Sequence, residues 1–325
     1  MSLIVVVGLL ASGCKAAQPQ KVYRIGVLVG LEFLFDGTAG FKEGMAELGY
    51  VEGQNVIYDV QETGFDMEVY QRILKQFVAD KVDVIFVGPT EATLEAQAAV
   101  QGTDIPVVFT YVSLEGVDVV DSIRAPGRNT SGVQYPSADV AVKRFEVLLA
   151  MAPQARNILV PYIQDYPNVP PQVAAMRQAA AQTAEGITLI DLPVTSPDEL
   201  AAALDAYVRQ DEIGIDAILF ISDPLSVTPA FFAIAAEFAY EHNIPIGGAP
   251  MAAGGYESMF GVVPTPFESA KLAAPIVDKV LKGTPAGTIP IVSPEYFIQI
   301  NYKAATSIGL TVPDSLLVQA NEIIR

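Results

Sequence analysis

Hydrogen-bonding and titratable residues recur at one kind of place in this chain, directly after a short apolar run. Thr90 and Glu91 follow Val82–Val87, Tyr111 and Ser113 close Ile105–Val112, and Ser222 and Asp223 follow Ile215–Ile221. Glu32 and Phe33 stand after Val22–Leu31, Tyr162 and Asp165 at the end of the run that starts at Asn157, and Met251 and Tyr256 after Ile244–Gly247. If these runs are strands of parallel sheets, ligands bind just beyond their carboxyl ends, and these residues are the candidate binding set. Helix starts at Thr90 and near Thr228 would offer unpaired backbone N–H groups to a carboxylate. A cationic amine would suit Asp223, so the pattern describes an amino acid or a related small molecule held across a cleft.

Catalysis finds no comparable support. His242 is the sole histidine and falls at the end of a helical stretch, where it suits the helix dipole better than proton transfer. There is no Ser-His-Asp set, no His or Cys cluster with metal-ligand spacing, no P-loop, and no dinucleotide fingerprint around Gly26 and Gly30. The expectation is a binding protein, not an enzyme, with no cofactor and no metal.

The elements that must position the binding set alternate regularly. Apolar strands are predicted at Val22–Leu31, Asn55–Val60, Val82–Val87 and Ile105–Val112, separated by helical periodicity over Gly37–Leu48, over Met67–Ala79 and after Pro89, with Thr90 as the cap of that last helix. Single helices between strands make parallel βαβ units, so the first lobe is a doubly wound sheet. The alternation restarts after Ser122–Pro136, with helices at Ala138–Ala150, Pro171–Thr183, Ser196 to about Arg209, Pro229–Tyr240 and Phe267–Leu281. Its strands are Asn157–Tyr162, Ile187–Val194, Ile215–Ile221, Ile244–Gly247 and Met259–Val263. Pro126–Gly127 is a turn signal and Thr130–Tyr135 a short β-prone segment, which predicts a hinge at Thr130, Ser131, Gly132 and Val133. The tail predicts crossing strands at Ile289–Val292 and Phe297–Tyr302 and a closing helix over Leu316–Ile324. The passage from Val78 to Thr90 is echoed by that from Val208 to Pro224, each followed by a helix and an Ile-Pro pair, so the two lobes are expected to share one architecture.

The expected division is residues 1–20 as leader and tether, 21–131 with about 265–294 as lobe 1, 132–264 as lobe 2, and 295–325 as crossing strands and closing helix. The chain has 325 residues, 51% of them hydrophobic and 17% charged, enough for two globular lobes. Its formal charge of -18 argues against nucleic acid, which requires clustered Lys and Arg. Leu3–Ala11 has the length of a signal-peptide core and not of a membrane span. A complete leader opens with Lys or Arg, and none precedes Lys15, so an incomplete start is expected. Ala11–Cys14 resembles the lipobox of bacterial lipoproteins, which would make Cys14 the lipidated residue and the anchor the only contact with a membrane. Cys14 is also the only cysteine, so no disulfide can form within the chain.

Four stretches together resemble one family: Gly40–Val56, Ile105–Phe109, Ala125–Val133 and Val280–Ala286. They are similar to the solute-binding proteins of bacterial ABC importers, in particular the branch that binds tryptophan and other aromatic amino acids. The resemblance covers about Val22 to Pro313 and implies a monomeric, two-lobed receptor of the periplasmic binding protein type that closes on its ligand and hands it to permease subunits. It also implies that Thr90 occupies the family's threonine at the first-lobe helix start, and Asp223 the polar position after a second-lobe strand. Ser113–Gly116 stands where the family tends to carry Asp-Pro, and Gly261–Pro266 where it often has a Gly-x-x-Tyr-Tyr passage. Both departures leave the ligand open between an aromatic amino acid and another small molecule. A ligand-sensing module that feeds a signalling partner is the alternative with the same fold.

Overall fold

The computed structural model describes residues 21–30, 34–64, 66–183, 186–208 and 213–325. The leader with Cys14, and Glu32 and Phe33 of the candidate set, lie outside the described residues.

The chain opens with β1 (Tyr23–Val29), α1 (Phe35–Glu47), β2 (Val56–Glu62), α2 (Met67–Ala79), β3 (Val84–Gly88), α3 (Thr90–Ala99), β4 (Val107–Val112) and β5 (Thr130–Gln134). These strands make one parallel sheet in the order β2-β1-β3-β4-β5. β3 is buried along its whole length, which is why its sequence is a continuous apolar run with no alternation. α2 starts where the Asp66 side chain accepts from the N–H groups of Glu68 and Val69. Thr90 is not the cap of α3: Pro89 holds that position without a side-chain bond, and Thr90 is the first helical residue.

The hinge quartet is likewise placed differently from the expectation. Thr130, Ser131 and Gly132 sit in register with Val107, Val108 and Phe109, and Val133 bridges Val292, so all four belong to the ladder of β5. The chain leaves the first sheet through Gln134–Pro136 and enters α4 (Ser137–Met151).

The second unit runs through β6 (Asn157–Ile163), α5 (Val169–Ala181), β7 (Thr188–Val194), α6 (Pro197–Val208), β8 (Ala217–Leu219), α7 (Pro229–Glu241) and β9 (Ile246–Gly247). Its parallel sheet has the order β7-β6-β8-β9. A small hairpin, β10 (Ala252–Ala253) and β11 (Tyr256–Glu257), packs on α7 and leads to β12 (Phe260–Val263), which turns back at Pro264 towards the first unit. His242 is the C-cap of α7, its ring 4.8 Å from that of Phe238.

The helix expected over Phe267–Leu281 is two helices, α8 (Pro266–Lys271) and α9 (Ala274–Leu281). Pro275 has no N–H to donate to the Lys271 carbonyl, so the ladder breaks there. Both pack on α1, where Gly37, Gly40 and Gly44 form a stripe without side chains; a Cβ on Gly40 would lie 2.2 Å from the Phe267 carbonyl oxygen.

Ile289–Val292 forms no separate strand. It lies along β5, with Val292 N–H donating to Gly132 O at 3.2 Å and Gln134 N–H to Val292 O at 2.9 Å. After Val292 the chain crosses again to β13 (Phe297–Asn301), α10 (Tyr302–Ser307), α11 (Asp314–Gln319) and β14 (Glu322–Ile324). The expected closing helix therefore stops at Gln319, and its second half is a strand parallel to β13, with Gln299 beside Glu322 and Asn301 beside Ile324. Asn321 makes the switch: its N–H donates to Ile298 O while its side-chain oxygen accepts from Ile298 N–H, each at 2.8 Å. The tail is divided between the two units: Ile289 and Ile291 pack in the cores of the first, whereas Ile298, Ile300, Ala304, Ala305, Val312 and Leu316 belong to the core of the second. Three short passages thus join the two units: Gln134–Pro136, Pro264–Thr265 and Ser293–Tyr296.

The close approach at Gly40 makes the α1–α8 contact sensitive to a single methyl group. Gly40→Ala is expected to destabilise the protein by about 1–3 kcal/mol, read as a lower melting temperature, whereas a Ser at exposed Ala39 one residue away should stay within about 0.5 kcal/mol of the parent. Equal melting of the two variants would mean that the helices slide apart without cost.

Candidate functional site

On the first wall, α3 begins directly after the Gly88–Pro89 peptide bond, which is cis. The Thr90 hydroxyl oxygen accepts from Ser113 N–H at 3.2 Å, which ties the end of β3 to the end of β4. β4 is irregular between Phe109 and Val112, and Tyr111 sits at φ 60° there. That kink directs its hydroxyl to the Pro264 carbonyl, 2.8 Å away on a crossing passage, and sets its ring 4.9 Å from that of Tyr135. Burial raises the Tyr111 phenol well above its ordinary range; neighbouring Tyr135 adds to this and the charge of Arg144 works against it. Beyond β4, Ser113 Oγ donates to Glu115 Oε2 at 3.0 Å and shares a 3.0 Å contact with Ser137 Oγ, the first residue of α4.

On the second wall, Ser222 is held by two hydrogen bonds to one side chain: its N–H donates to Gln172 Oε1 at 2.8 Å and its carbonyl accepts from Gln172 Nε2 at 2.9 Å. Its hydroxyl meets Tyr135 Oη at 2.8 Å. Asp223 is buried; Oδ2 accepts from Ile163 N–H at 2.6 Å and Oδ1 from Ser226 N–H at 3.2 Å, so it also caps the 3-10 turn Pro224–Val227. Burial pushes its carboxyl up to about 7, while the N–H donors and the nearby Arg144 guanidinium pull it down. Each carboxylate oxygen can accept more than one bond, so Asp223 retains capacity for a ligand donor.

The two walls touch. Tyr166, after β6, donates its hydroxyl to Glu91 Oε1 at 3.1 Å. Burial raises that phenol, and the negative charges of Glu91 and Asp223 raise it further, so an acid of each wall acts on Tyr166. Nearby, Gly116 adopts φ 77°, and a Cβ there would stand 2.5 Å from the Pro167 carbonyl oxygen.

Thr90, Glu91, Tyr111, Ser113, Ser222 and Asp223 thus come together around the crossings. Others of the set do not join them. The Tyr162 ring packs against the second core, where the charges of Asp191 and Arg177 act on it. Asp165 is exposed and contacts only its neighbour Gln164 among the described residues. Met251 is half-buried at the start of the hairpin, and Tyr256 sets its ring 5.1 Å from Tyr240 of α7. Among the described residues there is no group of three or more His, Cys, Asp or Glu side chains that could hold a metal ion.

Several members of the assembly were not anticipated: Arg144, Glu115, Tyr135, Ser137, Tyr166 and Gln172. Arg144 is 2% exposed and donates to the carbonyls of Val262 at 2.9 Å and Phe220 at 3.2 Å. Its signal was present, because Ala141, Arg144 and Leu148 share one face of α4 and a cation amid an apolar stripe needs a partner. Gln172 carries no such signal, since it bonds Ser222 from the start of α5, whereas Tyr166 stands one residue past the nominated Asp165.

Comparison with known proteins agrees with this geometry. The model of the family described as ABC transporter substrate binding protein matches residues 24–324. A tyrosine-binding protein of Clostridioides difficile is 29% identical over 282 residues, 85% of this chain and 76% of the relative. A Streptococcus pneumonia ABC domain in complex with L-Trp superposes with a TM-score of 0.76 at 25% identity, covering 94% of this chain and all of the other. The ligand-free, open structure of a Clostridium difficile substrate binding protein with adhesive properties gives 0.75 at 25% identity, covering 94% and 99%. A fold of parallel-sheet units, a candidate binding group where they meet and a family match along nearly the whole chain lead to one conclusion: the protein belongs to the ABC transporter substrate binding protein family.

Proposed function

We propose that the protein is the extracytoplasmic receptor of an ABC importer, binding an amino acid or closely related molecule between its two lobes and delivering it to permease subunits as a monomer. The observation that carries this reading is the contact of the two walls at Tyr166, which bonds Glu91 of one wall while the charge of the buried Asp223 of the other acts on the same phenol. A cationic amine entering there would meet carboxylates from both lobes, and contacts made to both at once are what favour a closed form over an open one. Bending falls on the three crossing passages and not on Thr130–Val133, whose residues are held in the first sheet. The relatives that bind tyrosine and tryptophan support an amino acid as the ligand class. No helix among the described residues is long and apolar enough to cross a membrane, and attachment through a lipidated Cys14 is the proposed anchor.

Thermal shift in the presence of L-tyrosine, L-tryptophan and other amino acids, with sugars and nucleosides as controls, tests the ligand class. A binder at about a hundred times its dissociation constant adds about 2.7 kcal/mol, and small-angle scattering should then show a smaller radius of gyration. Stabilisation by a sugar alone would overturn the amino-acid reading, and unchanged scattering with a true binder would overturn closure.

Asp223 gives the second expectation. With its carboxyl up to about 7, it is largely protonated in mild acid, and an amine ligand must displace that proton. Affinity should therefore fall about tenfold per unit as pH drops from 7 to 5 and level off above 7, and Asp223→Asn should remove the slope and weaken binding about tenfold or more. A slope that survives in Asp223→Asn would take this residue out of amine recognition. For the anchor, Cys14→Ala should move the protein from the membrane fraction to the soluble one; no change would refute lipidation there.

A further inference from the structure

At the carboxyl ends of β1, β3 and β4, beside the crossing at Pro264, a small pocket opens between the first sheet and the start of α1. Leu28, Leu34, Phe86 and Pro266 give it apolar walls. Phe86 is fixed from behind by Phe41, stacked on it at 4.0 Å. Into this pocket face the side chains of Thr38 and Thr110. Thr110 is 8% exposed, and neither Thr110 Oγ1 nor Thr38 Oγ1 has a hydrogen-bond partner among the described residues. Buried hydroxyls are almost always partnered, and leaving one unsatisfied costs about 1–3 kcal/mol. Two of them in one apolar pocket, where other threonines of this chain such as Thr93 and Thr103 bond backbone carbonyls, call for an occupant.

We propose that this pocket recognises a neutral hydroxyl at the far end of the ligand's side chain, with Thr38 and Thr110 as its hydrogen-bonding partners and the specificity-determining residues of the site. The inference rests on the amino-acid reading above. The space between the lining side chains is about 10 Å³, that of one water or one hydroxyl group. A ring or chain bearing that hydroxyl lies at the mouth, beside Tyr111 and Pro266, which also line the pocket. Charge is excluded, because the apolar walls offer no counter-ion and an unpaired charge there would cost far more than a neutral group. A hydroxyl can both donate to one threonine and accept from the other, whereas a plain aromatic ring leaves both unsatisfied. Among aromatic side chains the pocket therefore favours a phenol over an unsubstituted ring.

Isothermal titration of the protein with L-tyrosine and L-phenylalanine tests this, since the pair differs by that hydroxyl alone. The parent is expected to bind tyrosine about tenfold or more tightly than phenylalanine, as sites built around a ligand hydroxyl discriminate strongly against its absence. Thr110→Val keeps the side-chain shape and should bring the two affinities within about threefold, mostly by weakening tyrosine; Thr38→Val should act in the same direction, and Thr110→Ser should restore the preference. Equal affinities in the parent, or an unchanged ratio in both valine variants, would overturn the inference and leave the amino-acid reading in place. A valine variant that alters melting temperature but not the ratio would mean that the hydroxyls serve a buried water only, and would overturn it too. Binding of neither amino acid, together with stabilisation by another ligand class, would overturn the underlying reading and the inference with it.

Discussion

A guanidinium buried in the second lobe is the constraint around which the rest is arranged. Arg144 cannot shed its proton in a protein, so its charge has to be met where it stands. Burying an ion costs several kcal/mol, and the cost is recovered only with well-placed partners. Arg144 finds them in the carbonyls of Phe220 and Val262, and its field reaches Asp223 on one wall and Tyr111 on the other. The Phe220 carbonyl is available because β8 ends at Leu219, short of the apolar run that continues to Ile221. One cation thus binds the carbonyl just past the end of a strand, moderates the acid of the second lobe and acts on the phenol of the first. Removing it would leave Asp223 with its burial and without the charge that offsets it.

The groups that meet across the cleft divide by what separation would do to them. Ser222 and Gln172, or Thr90 and Ser113, lie within one wall and would survive opening unchanged. Tyr166 with Glu91, and Gly116 beside Pro167, exist only while the walls touch. A closed state is favoured by the second class alone, because a contact present in both states shifts no population. The glycine matters here for its size as well as its φ, since any side chain would meet the Pro167 carbonyl before the hydroxyl of Tyr166 could reach Glu91.

Much of this architecture is legible in the sequence because buried parallel strands leave strong signals. The continuous run Val82–Val87 and the acidic start of the helix after Ser196 are local statements that tertiary packing had no reason to override. The failures are equally physical. Glu322–Ile324 is helical by continuation of the preceding periodicity, but the ladder offered by β13 and the reciprocal bonds of Asn321 lie more than twenty residues away in the chain. The break at Pro275 could have been read from the missing N–H alone. Thr90 looked like a cap because capping residues precede helices, and its hydroxyl instead serves the neighbouring strand.

The candidate site divides along the same line. Strand ends nominate residues, yet alternation along a strand sends every second side chain to the other face, so a place at a strand end does not secure a place in the cleft. Tyr162 illustrates this: its neighbour Ile163 offers its backbone N–H to Asp223, while Tyr162 itself turns towards Asp191 and Arg177. Tyr256 follows a strand that is only two residues long, and the hairpin that carries it packs on α7. What gathers Thr90, Tyr111, Ser113, Ser222 and Asp223 is their nearness to the three passages where the lobes join, a property of topology. The polar groups of both walls have to satisfy one another there as well as any ligand, which is why so many hydroxyls in this site are already bonded and why the two left over in the first-lobe pocket stand apart.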